Sequence, residues 1–292
     1  MSLEEKYDAA LNLLRRLDPR HVERNLNSIC ALLQHDNSDE GQELAQDLLS
    51  AVDTPLKLAK CEETGKRYLC CDYNRDGDSY RSPFSNKYYP PTGDDESPFP
   101  SPVLRELEIK ANESFDIYRD LYYENGGYSS VYLWDTAEDE AADSLKEGFA
   151  GVVLFKKETE DKLAKWDSIH VFEIIPETST LATYKITSSV ILDLLSQKSS
   201  EKDLSLAGTM TRQLESTQTL STEGGSLEWA HLVNLGQQVE KSEYNIRNLL
   251  QEVYFDKLKN VLLKDLRSLG DVSEKQLENA KHSEIVKGLE GR

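Results

Sequence analysis

The sequence predicts an α+β fold, one structural domain plus a tail. Its parts are an N-terminal helical stalk, an antiparallel β-meander sheet, one long helix packed across that sheet, and an amphipathic C-terminal tail. Three patterns predict it. Apolar residues recur every three or four positions through 1–55, runs of β-branched and aromatic residues separated by polar links fill 128–215, and helical periodicity returns over 226–268. Consecutive strands with short links pair antiparallel, and a helix much longer than the usual ~11 residues needs a broad surface to bury its stripe.

In the stalk, 1–55, Leu3, Tyr7, Leu11, Leu14 and Leu17 make a first apolar stripe, which Asp18-Pro19 stops. Val22, Leu26, Ile29 and Leu33 make a second. After a polar break at His35–Gly41, Leu44, Leu48 and Val52 make a third, closed by Pro55. Three such helices with short turns form a bundle. The segment 56–127 is irregular at first, because Pro83, Pro90, Pro91, Pro98, Pro100 and Pro102 forbid a long helix. A helix then runs from Ser101 to about Tyr123 on Leu104, Leu107, Ala111, Phe115, Tyr118 and Tyr122, and Gly126-Gly127 ends it.

Strands are expected at Val131–Trp134, Phe149–Phe155, Ile169–Ile174, Tyr184–Leu192 and Leu204–Met210. In the fourth, Tyr184, Ile186, Ser188, Val190 and Leu192 share one face and Thr183, Lys185, Thr187 and Ser189 the other. The stretch Glu215–Ser226 reads as a polar linker. Leu232, Leu235, Val239, Ile246, Leu249, Leu250, Val253, Leu258 and Val261 trace the long helix, and Ser268-Leu269-Gly270 separates it from the mobile tail, 271–292.

Composition narrows the function. The chain carries 53 acidic and 34 basic residues in 292, a net charge of -19, so the basic footprint of a nucleic-acid binder is absent. Residues 240–292 hold ten basic and ten acidic side chains, so the whole excess lies upstream. An acidic partner would meet least repulsion at that end. No apolar run approaches the ~20 residues of a membrane span, and Met1–Tyr7 does not read as a signal peptide, so a cytoplasmic protein without membrane insertion is expected. Cys30, Cys61, Cys70 and Cys71 have no CxxC spacing and are expected as thiols, largely buried. The sequon Asn112-Glu113-Ser114 has no role without secretion.

No catalytic constellation emerges. There is no phosphate-cradling glycine loop, GxSxG or HExxH, and His21, His35, His170, His231 and His282 are scattered. His170, in WDSIHV, reads as structural. Asp72, Asn74, Asp76 and Gly77 imitate the first half of an EF-hand loop, but the twelfth position is Pro83 where a bidentate glutamate is needed. That run is expected to be a hydrogen-bonded turn. Neither a metal nor a cofactor is expected, and the chain does not read as an enzyme.

The same run, YLCCDYNRDGDSYRSPFSNKYYP over Tyr68–Pro90, closely resembles a signature of the F-actin-capping protein beta-subunit family. The resemblance continues through ANESFDIYRDLYYENGGYSSVYL (Ala111–Leu133), GFAGVVLFK (Gly148–Lys156), WDSIHV (Trp166–Val171), LAGTMTRQ (Leu206–Gln213) and VYFD (Val253–Asp256), co-linear over most of residues 3–268. Departures fall in Asn37–Glu43, Ala137–Glu147, Glu177–Thr183 and near the C-terminus. The resemblance is to a fungal-type sequence.

That resemblance implies the capping-protein heterodimer fold, with an alpha subunit as obligate partner and a continuous sheet across the pair. It implies calcium-independent capping of actin filament barbed ends, blocking subunit addition and loss, in the cytoplasm and in cortical actin structures. Arg247, in NIRNLL, matches a basic actin-binding position; the family often has Lys where this chain has Asn245. The tail is implied to reach the filament through Leu277, Ala280, Ile285, Val286 and Leu289, with Lys281, Lys287 and Glu290 largely off that face. Asp53 and Asp72 match acidic positions that bind regulatory linear-motif proteins. The alternative reading is a heterodimeric scaffold that mainly docks regulatory peptides or a larger assembly. Burying the four larger tail side chains offers about 6–12 kcal/mol, and ordering the segment costs a comparable amount. The tail therefore needs a second anchor, acting by effective concentration.

Overall fold

The computed structural model describes residues 3–17, 21–35, 38–51, 55–92, 97–124, 126–136, 143–194 and 208–257. The chain divides into two compact units, Met1–Glu243 and Tyr244–Arg292. In the first, α1 (Leu3–Leu14), α2 (Val22–Leu33) and α3 (Asp39–Ala51) realise the three stripes. Ala10, Leu26, Ile29, Cys30, Ala45 and Leu48 are buried together, with Tyr7, Leu11 and Leu14 against them. The polar break is shorter than expected: Gly41 lies in the first turn of α3, where its N–H donates to Ser38 Oγ at 3.1 Å. A Cβ there would lie 2.3 Å from the Leu33 carbonyl, so the close approach of the two helices requires glycine.

Residues 56–100 are more regular than the prolines suggest. β1 (Lys57–Lys60) and β2 (Arg67–Cys70) form one hairpin, and β3 (Arg75–Asp76), β4 (Ser79–Arg81) and β5 (Tyr88–Tyr89) form a three-stranded sheet. Prolines border these strands and stay out of their interiors, which is why short ladders survive. Between Asp76 and Ser79, which pair, Gly77 takes φ 55°, the glycine position of a tight hairpin loop.

α4 (Pro102–Tyr122) follows, with Pro102 in its first turn and Ser101 Oγ accepting from Leu104 N. Asp135 fastens this start, since its Oδ2 accepts from Ser101 N at 2.8 Å and its Oδ1 from Ser144 Oγ. Burial works to raise the Asp135 carboxyl, but the hydrogen bonds from Ser144 and Ser101 outweigh it and hold the group below the usual carboxylate range.

The main sheet contains β6 (Tyr128–Asp135), β7 (Phe149–Glu158), β8 (Ala164–Thr178), β9 (Leu181–Leu194) and β10 (Gly208–Ser221). They run antiparallel in the order β10-β9-β8-β7-β6, the expected meander, and the short α5 (Ser144–Glu147) precedes β7. One face carries Val153, Phe155, Phe172, Tyr184 and Ile186 against Leu104, Leu107 and Phe115 of α4 and Leu232, Leu235 and Val239 of α6 (Leu227–Leu250). The other carries Tyr132, Val152 and Leu154 against Leu56 and Leu69. Each large apolar side chain so buried contributes about 1.5–3 kcal/mol.

Two boundaries correct the sequence reading. The last strand continues to Ser221, so most of the supposed linker Glu215–Ser226 is strand. It alternates exposed Glu215, Thr217 and Thr219 with half-buried Leu214, Ser216, Gln218 and Leu220. That half-polar alternation suits an edge strand and was mistaken for a loop because only two of its positions are apolar. α6 ends at Leu250 and passes into a π-helical stretch, Gln251–Lys257; the rest of the expected 226–268 helix lies outside the described residues.

Candidate interface

The two edges of the sheet are finished differently. On β6, three of the backbone groups facing away from β7 are taken up by α4. Asn112 donates through Nδ2 to the Val131 carbonyl at 2.9 Å and accepts the Val131 N–H at 3.0 Å. Glu108 Oε2 accepts the Leu133 N–H at 2.8 Å. The asparagine read as an idle sequon is therefore a buried edge cap. Glu108, fully buried, also receives Arg81 on both oxygens, each at 2.8 Å, and Arg105. A bidentate guanidinium pair is the arrangement in which a buried carboxylate is best compensated. The hub ties β4 and α4 to β6 and closes that edge.

Among the described residues the β10 edge has no such cover. β10 pairs with β9 through all fourteen of its residues, Gly208↔Leu194 to Ser221↔Leu181, and no strand follows on its far side among the described residues. At ~3.3 Å per residue this edge is roughly 45 Å long, and every second residue turns its N–H and C=O outward. It carries no proline and, apart from Arg212 and Glu215, no charge. A long edge with so little charge is a feature that monomeric sheets avoid. On α6, Trp229 is 60% exposed and Val233 is one turn further on, also exposed. A strand edge beside exposed apolar groups is a surface for another polypeptide.

α6 is held to the sheet by polar struts as well as by its apolar stripe. Gln238 donates to Gln218 of β10 at 3.1 Å, and Tyr184 of β9 bonds His231 Nδ1 at 2.8 Å. His170 of β8 is fully buried; its Nε2 meets Glu243 Oε1 at 3.0 Å and its Nδ1 meets Ser188 Oγ at 2.8 Å. Tyr123 donates to the second Glu243 oxygen at 3.0 Å. His170 is thus a strut. The groups that orient it lie on other elements and were invisible in its own segment.

The sequence-predicted contact residues fare unequally. Arg247 lies in the last turn of α6, exposed, within the second unit. Leu277, Ala280, Ile285, Val286 and Leu289 lie outside the described residues, as does Asp53. Asp72 is exposed at the start of a 3-10 turn, Asp72–Asn74, 3.5 Å from Arg75. The would-be calcium ligands around it are otherwise engaged. Asn74 accepts from Cys71 N at 2.8 Å and donates to the Arg81 carbonyl at 2.9 Å, while Asp76 accepts from Ser97 Oγ at 2.6 Å. The β10 edge is a candidate interface element that the sequence reading did not name. Its signal was the period-two alternation from Met210 to Leu220.

Comparison with known proteins bears on this surface. The family described as "F-actin capping protein, beta subunit" matches over residues 7–262. A protein of Debaryomyces hansenii named F-actin-capping protein subunit beta is 63% identical over 295 residues, covering 99% of each chain. Relatives with the same name in Yarrowia lipolytica (49% identical; 98% of this chain, 99% of that one) and Candida glabrata (46%; 99% of each) extend the match. Among solved structures, a homodimeric actin capping protein alpha subunit from Plasmodium berghei matches with a TM-score of 0.51. It is 16% identical and aligns over 92% of this chain and 100% of its own, a likeness of fold.

Proposed function

Because the chain belongs to the F-actin-capping protein beta-subunit family, we propose that it is the beta half of a heterodimer that caps actin filament barbed ends. An alpha subunit is its partner, and the pair blocks subunit addition and loss. The observation that carries the pairing is the inequality of the sheet edges: Asn112 and Glu108 cap β6, whereas β10 presents fourteen residues with no partner strand on the far side among the described residues. A partner strand there would gain about 0.5–1.5 kcal/mol per hydrogen bond, and the exposed Trp229 and Val233 add apolar area.

The activity is occupancy of a filament end, with no chemical step. Arg247 supplies a basic contact to acidic actin, and the tail residues Leu277, Ala280, Ile285, Val286 and Leu289 supply an apolar one. Asp53 and Asp72 serve regulatory linear motifs. Capping is independent of calcium, since Asn74 and Asp76 are committed to the hairpin and Pro83 replaces the closing ligand. The protein works in the actin cytoskeleton, at cortical actin structures.

The test is elongation of actin from barbed-end seeds with the reconstituted dimer, with and without a calcium chelator. Growth should stop at dimer concentrations far below that of actin, equally in both conditions. Undiminished growth with an intact dimer would refute the capping reading and leave a scaffold.

A further inference from the structure

The chain's charge is inverted at one place. A cavity of about 360 Å³ lies where α2 and the segment Pro55–Lys57 meet β7, β8 and β9. Its wall contains Arg24, Lys57, Lys156 and Lys165 against Asp167 and Asp193, which leaves two net positive charges in a chain of net charge -19. Asp167 is buried and satisfied: it holds Lys156 at 2.8 and 2.9 Å and accepts the Leu56 N–H at 2.8 Å. This pair fixes the floor of the cavity. α2 begins at the rim, where His21 provides no side-chain cap, so the positive end of a helix adds to the lysines and arginine. A concave wall whose balance is positive favours an anion, and Arg and Lys are the side chains that recognise phosphate oxygens.

We propose that this cavity is a binding site for a small, soluble polyphosphate or phosphate ester, held between the helical bundle and the sheet. A compact phosphate carries about two charges in little volume, matching the lining, whereas an acidic peptide needs an elongated groove to spread the same charge. The rest of the wall is Pro55, Leu56 and Ile191, with the His21 imidazole at the rim. The volume falls at the lower end of small-molecule sites, ~300–1,000 Å³. A ligand there bridges α2 to β8 and so stabilises the junction of bundle and sheet by mass action.

The experiment titrates inorganic pyrophosphate into the reconstituted heterodimer at low salt by calorimetry. Sulfate at matched ionic strength and vesicles containing phosphatidic acid serve as parallel arms. One saturable site is expected, tighter than sulfate by at least tenfold, with no vesicle binding that depends on the cavity. Arg24→Ala with Lys57→Ala should weaken pyrophosphate at least tenfold and abolish its effect on Tm. Barbed-end capping by that variant should be unchanged, which also certifies its folding. No saturable heat, equal binding of sulfate, binding confined to vesicles, or an isotherm indifferent to the double substitution would each overturn the proposal.

Discussion

Glu108→Gln tests the buried hub most directly. The glutamate is fully buried, and Arg81, its bidentate partner, has a side chain only 4% exposed. The amide keeps the shape and one acceptor oxygen, which at the Oε2 place can still serve the Leu133 N–H and one Arg81 nitrogen, but the acceptor for Arg105 and the second Arg81 nitrogen at Oε1 is lost. Its NH2 faces donors. Removing one partner of a buried pair costs about 3–5 kcal/mol, because the other charge stays behind in a poor solvent for it. Arg105, at 15% side-chain exposure, can turn partly to water, so the lower half of that range is expected. Arg81→Met combined with Glu108→Gln removes the stranded charge and should recover at least ~1 kcal/mol relative to Glu108→Gln alone. The assay is urea unfolding of the reconstituted heterodimer at fixed protein concentration, since its stability depends on concentration. A loss below ~1 kcal/mol for the single substitution, or additive losses in the cycle, would refute the account of Glu108 as a charge-compensating hub.

Other consequences are equally open to measurement. Deleting Asp271–Arg292 should leave dimerisation intact and speed dissociation from barbed ends by roughly 30- to 140-fold, the equivalent of about 2–3 kcal/mol. Ile285→Asp with Leu289→Asp should reproduce most of that, and Lys281→Ala little, in single-filament imaging; equal residence times would exclude a tail contact. Arg247→Glu should instead slow association several-fold, with a rate that recovers as salt is raised, because it sets like charge against an acidic target. In hydrogen exchange, alternate amides of Gly208–Ser221 should be unprotected in the isolated chain and protected in the heterodimer; protection in both would argue against β10 as the pairing edge. The Asp135 carboxyl is held below its ordinary range when folded. Its contribution is therefore complete above the unfolded value of ~3.9 and lost as pH falls through the lower folded value. Asp135→Asn should flatten the fall in Tm between pH 5 and pH 2.5, and an unchanged slope would show that the latch on α4 is not the group titrating.

What the sequence determined by itself was everything written in periodicity. The three stalk helices, α4 and the first four strands of the sheet were legible because each buries a regular stripe, and a regular stripe survives in one dimension. The absence of an EF-hand glutamate at Pro83 was equally plain, because ligand spacing is local. What only the tertiary structure decided was where polar residues end up. Asn112 read only as a sequon without a role, whereas in the fold its side chain serves both backbone groups of Val131. His170 had no orienting neighbour within its own strand; Ser188 and Glu243 come from 18 and 73 residues away. The last strand was cut short at Met210 because an edge strand whose pairing face is backbone carries little apolar signal in its side chains. Arg24 and Lys165 are ordinary surface charges in the sequence, and they become one cavity wall only when α2 is laid beside β8. Hydrophobic burial is collective and periodic, so the sequence records it. Hydrogen bonds and charge pairs are made one at a time between distant residues, so only the folded chain records them.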